Sequence, residues 1–504
     1  MPTFAFIPAP LAPTAVAGVR QRLPRAAVLV LLPLVVGAMG GCAHIAPSAP
    51  DTHSAQGHAY RHAADERKAG FDEAAWWATL GDSTLSALIA QAQSNNLDVR
   101  IALERVREAR AGSTQAASRL LPTLALAASA SDERSGLPTT VKQGSPDTRA
   151  YRAALELGWE VDVFGAARAA AEAADLDAQT AALGVDAARW LLHTELARQY
   201  LLWQGTRLRL ETLERLLQAQ RDTERLVRSR EVLGQASRFD VSRAAGEVHA
   251  LQAQLPPLRA LVSVIEHQIA LLLGQSPGVP VRALDADRPA GLPAPAPMPV
   301  GQPLELLQRR PDLRVAERRF MAEAARLREA EADLWPKFFL AAVLGRQDLR
   351  LNGSGLSPVR FSQSALAFSL PLFNAGRLRA AVQRQDARQR GVTLEYERAV
   401  LGALKDVEDS LVALEQERQR AAALGAALDE RRTALRHADA LLREGQIDLL
   451  QRLDVQRGLL SAELAETDSR LQTALGSLQL FKALGGGWTA PGLAAVSPQK
   501  VSKP

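Results

Sequence analysis

Residues 151–164 read YRAALELGWEVDVF, in which apolar and polar side chains alternate. A period of two over this length predicts a β-strand with one apolar and one charged face. In a soluble sandwich the apolar face lies in the core, whereas in a membrane barrel it faces lipid. The segment is longer than most globular strands, which favours a tilted membrane strand. The apolar face carries Tyr151, Ala153, Leu155, Leu157, Trp159, Val161 and Val163, and the other face carries Arg152, Glu156, Glu160 and Asp162.

Three further segments, at 123–131, 338–349 and 362–373, also read as strands. Loops 132–150 and 350–360 join the four segments in pairs. Four strands cannot close a barrel, which needs about eight or more. An open sheet edge in lipid leaves backbone groups without hydrogen-bond partners. If these strands are membranous, several copies of the chain must contribute to one barrel.

Long helices are predicted on the C-terminal side of each strand pair. No proline occurs between residues 166 and 255 or between 372 and 490. A helix from about Gly165 to Leu233 would be roughly 100 Å long at 1.5 Å per residue. Apolar residues spaced by three and four, as at Leu404, Val407 and Leu411, predict packing against a partner helix. Pro256-Pro257 predicts a kink or a join in the helix that follows the first long one.

The same order of features occurs twice. LIAQAQSNNLDVRIAL (88–103) resembles LLQRRPDLRVAERR (306–319), and each leads into a helix that ends before a proline. Two strands and a long helical region follow in each half, and the period is about 210 to 220 residues. We expect a first repeat at 71–275, an inter-repeat linker at 276–304 and a second repeat at 305–488.

The N-terminus is typical of an export signal. Three arginines precede an apolar run at 26–38 that is too short to span a bilayer, and Met39-Gly40-Gly41-Cys42 follows. This sequence is similar to a bacterial lipobox. We therefore expect a signal peptide at 1–41, acylation of Cys42, a lipidated linker at 42–70 and, at the other end, a flexible tail at 489–504.

Composition excludes several classes of function. The formal charge of +5 falls to about +2 without the three signal-peptide arginines, too little for a nucleic-acid partner. With a single cysteine, no intramolecular disulfide or cysteine-based metal site is possible. His53, His58 and His62 lie in the polar linker without an acidic or cysteine partner, so we expect no metal site there. No phosphate loop, zinc motif or nucleophile elbow points to an enzyme.

Seven segments together resemble the outer-membrane factor family of RND efflux systems, the OprM/NodT-type lipoproteins of the TolC superfamily. The resemblance covers about residues 70 to 488 in family order. It implies an α+β membrane protein, a trimeric channel-tunnel. Four β-strands per protomer form a shared 12-stranded outer-membrane β-barrel, and long helices form a periplasmic α-helical barrel. The segments are LGWEVDVFGAAR (157–168), LGQASRFDVSRA (233–244), LLQRRPDLRVAERR (306–319), SLPLFNAGRLRAA (369–381), LKDVEDSL (404–411), REGQIDLLQRLDVQRGLLSAE (443–463) and LFKALGGGW (480–488).

The resemblance also implies a periplasmic gate where the helix hairpins turn, at 233–240 and 443–454. Family members narrow this end with an apolar ring and an Asp ring, which match Leu450 and Asp454, with Asp448 and Asp240 nearby. Three such Asp residues around an axis would repel one another and attract cations. They could pair with Arg238, Arg443 or Arg452. The same residues equally suit solvated turns or helix caps, and the sequence leaves both open.

The implied function is a passive outer-membrane exit duct for drugs or toxic small molecules in a three-part pump. Its implied partners are two further copies of itself, outer-membrane lipid, a periplasmic adaptor and an inner-membrane RND transporter. The adaptor would dock at Gly234-Gln235 and Gly445-Gln446. No cofactor is expected apart from the acyl group on Cys42. The alternatives are a duct for type I protein secretion, which usually lacks a lipobox, and a structural coiled-coil envelope lipoprotein.

Overall fold

The computed structural model describes residues 60–61, 77, 81–134, 136, 138, 147–285, 292 and 303–486. The signal peptide, Cys42, the three linker histidines and the tail at 489–504 all lie outside these ranges. In the first half the elements are α1 (Ser83–Asn95), α2 (Leu97–Ser118), β1 (Thr123–Glu133), β2 (Thr148–Val161), α3 (Ala166–Val232), α4 (Arg238–Gln252), α5 (Leu255–Leu272) and α6 (Arg282–Asp285).

The second half repeats this order. A 3-10 turn at Pro303–Glu305 leads into α7 (Leu306–Arg309), α8 (Pro311–Ala332), β3 (Lys337–Leu351), β4 (Ser354–Gly355), β5 (Val359–Ser369), α9 (Arg377–Arg443) and α10 (Leu449–Ala483). A pair of helices, a strand hairpin and a long helical hairpin thus occur in each half.

The strands form one antiparallel sheet in the order β1-β2-β3-β5, with β4 on the end of β3. β2 and β3 join the two halves, and Leu155 of β2 pairs with both Leu126 and Leu344. The predicted strands are confirmed with shifted ends. β5 covers 359–369 rather than 362–373, because Pro371 has no N–H to give to a ladder.

The predicted loop at 350–360 is partly wrong. β3 continues to Leu351, and the chain then reverses at Asn352 and Gly353, both with positive φ (49° and 84°). An Asn-Gly turn of this kind matches the twist of a two-residue hairpin. Ser354 and Gly355 therefore pair back onto the end of β3.

The predicted long helix is confirmed, and it has a counterpart of equal length. α3 and α9 each contain 67 residues, which corresponds to roughly 100 Å. Each follows a glycine in the left-handed region, Gly165 (φ 86°) and Gly376 (φ 82°). A residue with a Cβ atom is disfavoured at such a position, so glycine lets the chain turn from strand into helix.

The predicted join at Pro256-Pro257 is also confirmed. α4 ends at Gln252 and α5 begins at Leu255, so both prolines lie in the first turn of a new helix. Proline is tolerated there because the first-turn N–H groups have no intrahelical partner. Two helices, rather than one kinked helix, therefore complete the first hairpin.

Buried residues gather where the short helices meet the long ones. The largest cluster joins α1 and α5 to the middle of α3 and the end of α10, around Trp203 and Tyr200. A second cluster joins α7 and α8 to α9 and includes Tyr60, which is only 6% exposed. Tyr60 falls within the linker predicted at 42–70, so at this residue the linker packs into the core.

The helices that the structure describes include none with the length and apolar character of a membrane-spanning helix.

Candidate functional site at the helix tips

The two hairpin turns have the same backbone geometry. At the first, Gln235 N–H donates to Arg230 O (2.8 Å), and Gly234 has φ 72°. At the second, Gln446 N–H donates to Leu441 O (2.9 Å), and Gly445 has φ 71°. This bond across five residues with a left-handed glycine is the Schellman motif, which satisfies the last carbonyls of a helix. The predicted docking residues therefore form two nearly identical exposed tips.

Two of the predicted gate aspartates cap the returning helices. Asp240 accepts hydrogen bonds from the Ser237 hydroxyl (2.7 Å) and the Ser237 N–H (3.0 Å), while Ser237 Oγ accepts from Asp240 N–H. Asp448 accepts from Gln451 N–H (2.7 Å), and its own N–H donates to the Gln451 side chain (3.1 Å). Both arrangements are capping boxes, which satisfy otherwise unpaired first-turn N–H groups. The bonds from Ser237 also lower the pKa of Asp240.

A narrow cleft between the two hairpins brings the predicted residues Asp240, Leu450 and Asp454 together. Its walls come from the end of α3, the start of α4 and the start of α10. Below the tips, Val227, Ala244 and Leu449 form a small buried cluster. The cleft is thus lined by both apolar and charged side chains, the combination expected for a constriction.

Asp454 pairs within the protomer with two arginines that the sequence did not single out. Its carboxylate lies 3.0 Å from Arg457 and 4.0 Å from Arg243, and Arg457 also lies 3.4 Å from Glu247. Arg457 is one helical turn after Asp454, a spacing that was readable from sequence. Arg243 reaches across from α4, and no local pattern indicates that contact.

The three arginines predicted to hold the tip closed lie near the tips, but none of them is paired with Asp454 in the described part of one protomer. Arg452 donates to the Asp439 carboxylate (2.8 Å), and Arg443 donates to the Asp439 backbone carbonyl (3.1 Å). Arg238 is exposed in the first turn of α4. Within one protomer, Arg452 thus ties the start of α10 to the end of α9, whereas the Arg443 bond stays within α9.

Comparison with known proteins agrees with this architecture. The family described as "Outer membrane efflux protein" matches residues 88–275 and 303–486. Nodulation protein T of Rhizobium leguminosarum bv. trifolii is 31% identical over 76% of this chain and 82% of its own. The pyoverdine export outer membrane protein OpmQ of Pseudomonas aeruginosa is 31% identical over 90% of this chain and 95% of its own.

Solved structures show the same likeness. The outer-membrane channel OprN superposes with a TM-score of 0.78 at 30% identity, covering 89% of this chain and 99% of its own. The outer membrane protein VceC of Vibrio cholerae superposes with a TM-score of 0.74 at 25% identity, covering 82% of this chain and 99% of its own.

Proposed function

Because the chain belongs to the outer membrane efflux protein family, we propose that it is the passive exit duct of an RND-type pump that expels toxic small molecules. It is the outer-membrane channel of an efflux system, with the trimeric channel-tunnel fold, and it extends into the periplasm. The family consists of channel proteins, and we assign no catalytic step to this one. One observation carries the proposal. The same chain holds a sheet with an exposed apolar face and two hairpins built on 67-residue helices.

The names of the relatives favour small organic molecules as the cargo of this duct. Relatives at 29% identity are named as a solvent efflux protein, SrpC, and a toluene efflux protein, TtgI, and OpmQ exports pyoverdine. These compounds share little chemistry. A duct that only supplies an aqueous path does not need to recognise them, so selection falls to the energised partner.

We propose that the cleft residues form the gate at the periplasmic end. Asp454 from three copies would surround the axis, and their mutual repulsion would be offset by Arg457 and Arg243. Leu450 would supply the apolar constriction beside them. Opening would separate the first hairpin from the second, and water would then replace the contact between Arg243 and Asp454.

Three further partners belong to this proposal. A periplasmic adaptor docks on the exposed tips at Gly234-Gln235 and Gly445-Gln446, whose common geometry offers it equivalent sites. An inner-membrane RND transporter supplies the energy. Outer-membrane lipid holds the acylated Cys42, a covalent modification that needs no cofactor.

The test is in-cell photo-crosslinking from Arg238 and Arg443, the exposed arginines nearest the two tips. Arg390 serves as the matched control, because it is exposed on the same helix as Arg443 but more than fifty residues earlier. We expect a periplasmic adaptor of an RND system to be captured from the tip positions and not from Arg390. Capture of an adaptor from an ABC protein-secretion system would overturn the efflux assignment. Capture of cytoplasmic proteins alone would overturn the channel assignment as well.

A further inference from the structure

The two faces of the sheet differ sharply in exposure. Residues that are opposite one another in the strand register point to the same face of the sheet. By this register, one face carries Leu126, Leu155, Leu344 and Leu366. Leu126 and Leu366 are 74% and 75% exposed. On the other face Ala154 is 2% exposed, and a Cβ at Gly345 would meet Phe361 and Ala154 at under 3.0 Å. The leucine face is therefore the outer, lipid-facing one.

This outer face changes from apolar to charged towards the ends of the strands, at one level on β3 and β5 and four residues further out on β1 and β2. Near the helices it carries apolar side chains, among them Phe338 and Phe368, which pair across β3 and β5. Eight residues further along these strands stand Arg346 and Arg360. At about 3.3 Å per residue and a tilt of about 40°, that separation corresponds to roughly 20 Å across the membrane, close to the ~25 Å apolar band of outer-membrane barrels. The charged level therefore coincides with the membrane surface.

That surface is the one facing away from the cell. The helices that follow the strands extend into the periplasm, so the opposite ends of the strands point outward. The outer-face charges at this end are Arg149, Arg346, Arg350 and Arg360 against Asp132 and Asp348.

Three of these arginines have no acidic partner among the described residues. Arg346 pairs directly with Arg360 across β3 and β5, an arrangement of like charges that destabilises a sheet unless an anion intervenes. Asp132 is occupied by Arg149 (2.7 Å) and Arg134 (3.4 Å). Within the described part of the chain, no carboxylate lies within 4.0 Å of Arg346, Arg350 or Arg360. Arg346 is flanked on both sides by strands of its own chain, so its surroundings are already complete in one protomer.

We propose that Arg346 and Arg360, assisted by Arg350, bind the phosphate groups of the glycolipid in the outer leaflet, lipopolysaccharide. Its lipid A portion carries phosphates at the boundary between acyl chains and sugars, the level at which these guanidinium groups lie. Guanidinium groups bind phosphate through paired N–H···O bonds, and a phosphate between two arginines removes their repulsion. This lipid site depends on the proposed function in one respect, namely that the sheet is inserted in the outer membrane.

The arginine on the inner face provides the comparison. Arg152 lies one residue from this level on β2, but its guanidinium stacks over the Phe361 ring at 4.7 Å on the other face. Its replacement changes the charge of the same sheet by the same amount without touching the lipid-facing surface. Arg152→Gln is therefore the matched control for Arg346→Gln.

The test measures binding of lipid A to purified trimers by native mass spectrometry, with bisphosphorylated and dephosphorylated lipid A as separate probes. Each arginine near a charged membrane surface contributes about fivefold in affinity. We therefore expect Arg346→Gln alone to weaken binding of bisphosphorylated lipid A by about fivefold, and Arg346→Gln with Arg360→Gln to weaken it by roughly 25-fold. Binding of dephosphorylated lipid A should not change, and Arg152→Gln should match the unmodified protein.

Equal binding of the two probes by the unmodified protein would overturn the inference, and that result does not depend on any variant folding. Full binding by the double variant would overturn it too. Trimer content and channel conductance are recorded on the same samples. If the trimer is intact and conducting but binds both forms of lipid A equally, only this inference is wrong. If no conducting trimer forms, the proposed function is contradicted as well.

Discussion

Gly205 of α3 lies so close to Leu471 of α10 that a Cβ atom at Gly205 would be 2.5 Å from Leu471 Cδ2. The Leu471 side chain therefore occupies the space that a Cβ atom at Gly205 would need. Gly184, in the same helix, has nothing within 4 Å of the same position.

We therefore expect opposite effects from the same substitution at these two glycines. Gly205→Ala should destabilise the protein by about 1–2 kcal/mol, since overpacking outweighs the gain in helix propensity. Gly184→Ala should be neutral or stabilise it by up to about 1 kcal/mol. Thermal unfolding of purified protein measures both, and stabilisation by both alanines would contradict the packing argument.

Of the arginines in the second repeat, Arg310 should lower the free energy of unfolding most when it is replaced. Its side chain is 7% exposed and binds Asp312 (2.7 Å) and Asp406 (3.1 Å). Burial opposes its charge, but the hydrogen bonds and charges of Asp312 and Asp406 together outweigh burial and raise the pKa of Arg310. Arg310→Gln leaves these carboxylates without their partner and should cost about 3 kcal/mol. Arg309→Gln, at the more exposed neighbour, should cost under about 1 kcal/mol in the same unfolding measurement.

Tyr60 offers a test of whether the N-terminal linker is held by the core. Its hydroxyl is buried without a hydrogen-bond partner in the described part of the chain, and burial raises its pKa. Tyr60→Phe removes an unsatisfied polar group and should be neutral or slightly stabilising. Tyr60→Ala leaves a cavity and should cost about 3 kcal/mol. Equal melting temperatures for the two variants would show that the ring does not contribute to stability.

The first hairpin tip should respond to acid in a defined range. Hydrogen bonds from Ser237 lower the pKa of Asp240 in the folded state. Stabilisation from this cap is therefore complete above the unfolded value near 3.9 and is lost as pH falls through the lower folded value. Hydrogen exchange at 237–243, corrected for its intrinsic pH dependence, should show constant protection from pH 7 to 5 and a loss only below about 4. Asp240→Asn should reduce protection already at pH 7, and a loss between pH 7 and 5 in the unmodified protein would contradict the assignment.

The gate assignment predicts a difference between two exposed aspartates on the second hairpin. Asp454 lines the tip cleft and pairs with Arg457, whereas Asp429 is exposed on α9 away from the cleft and pairs with Arg432. Asp454→Ala should raise single-channel conductance and reduce selectivity for cations in planar bilayers. Asp429→Ala should change neither, and identical behaviour of the two variants would exclude Asp454 from the constriction.

Sequence reasoning succeeded where the structure follows a local period. The alternation at 151–164 identified β2, because a strand with one apolar face imposes a period of two. The absence of proline identified α3 and α9, because proline lacks the N–H that a helix interior needs. The end of β5 was misplaced because the apolar run continues to Phe373 past Pro371, and apolar character alone does not report ladder hydrogen bonds.

Contacts between distant segments were missed for a physical reason. Tyr60 is a lone aromatic in a polar stretch, so nothing near it in sequence indicates that it packs with Leu306 and Leu313. The Arg243 contact with Asp454 spans two hairpins and depends on how they lie side by side. Short polar motifs at the tips fit a cap and a gate equally well, and only the structure shows that Ser237 and Asp448 are the N-caps, with Asp240 completing the first capping box.

The equal lengths of α3 and α9 constrain how the gene can change. Each helix runs from a left-handed glycine to a Schellman turn, and both contain 67 residues. An insertion in one alone would displace its tip by about 1.5 Å and rotate its apolar stripe by about 100° for each added residue. The two duplicated segments can therefore diverge freely in sequence but not in length. A change of length in one long helix must therefore be matched in the other. Proteins that descend from this one should show such changes in both helices or in neither.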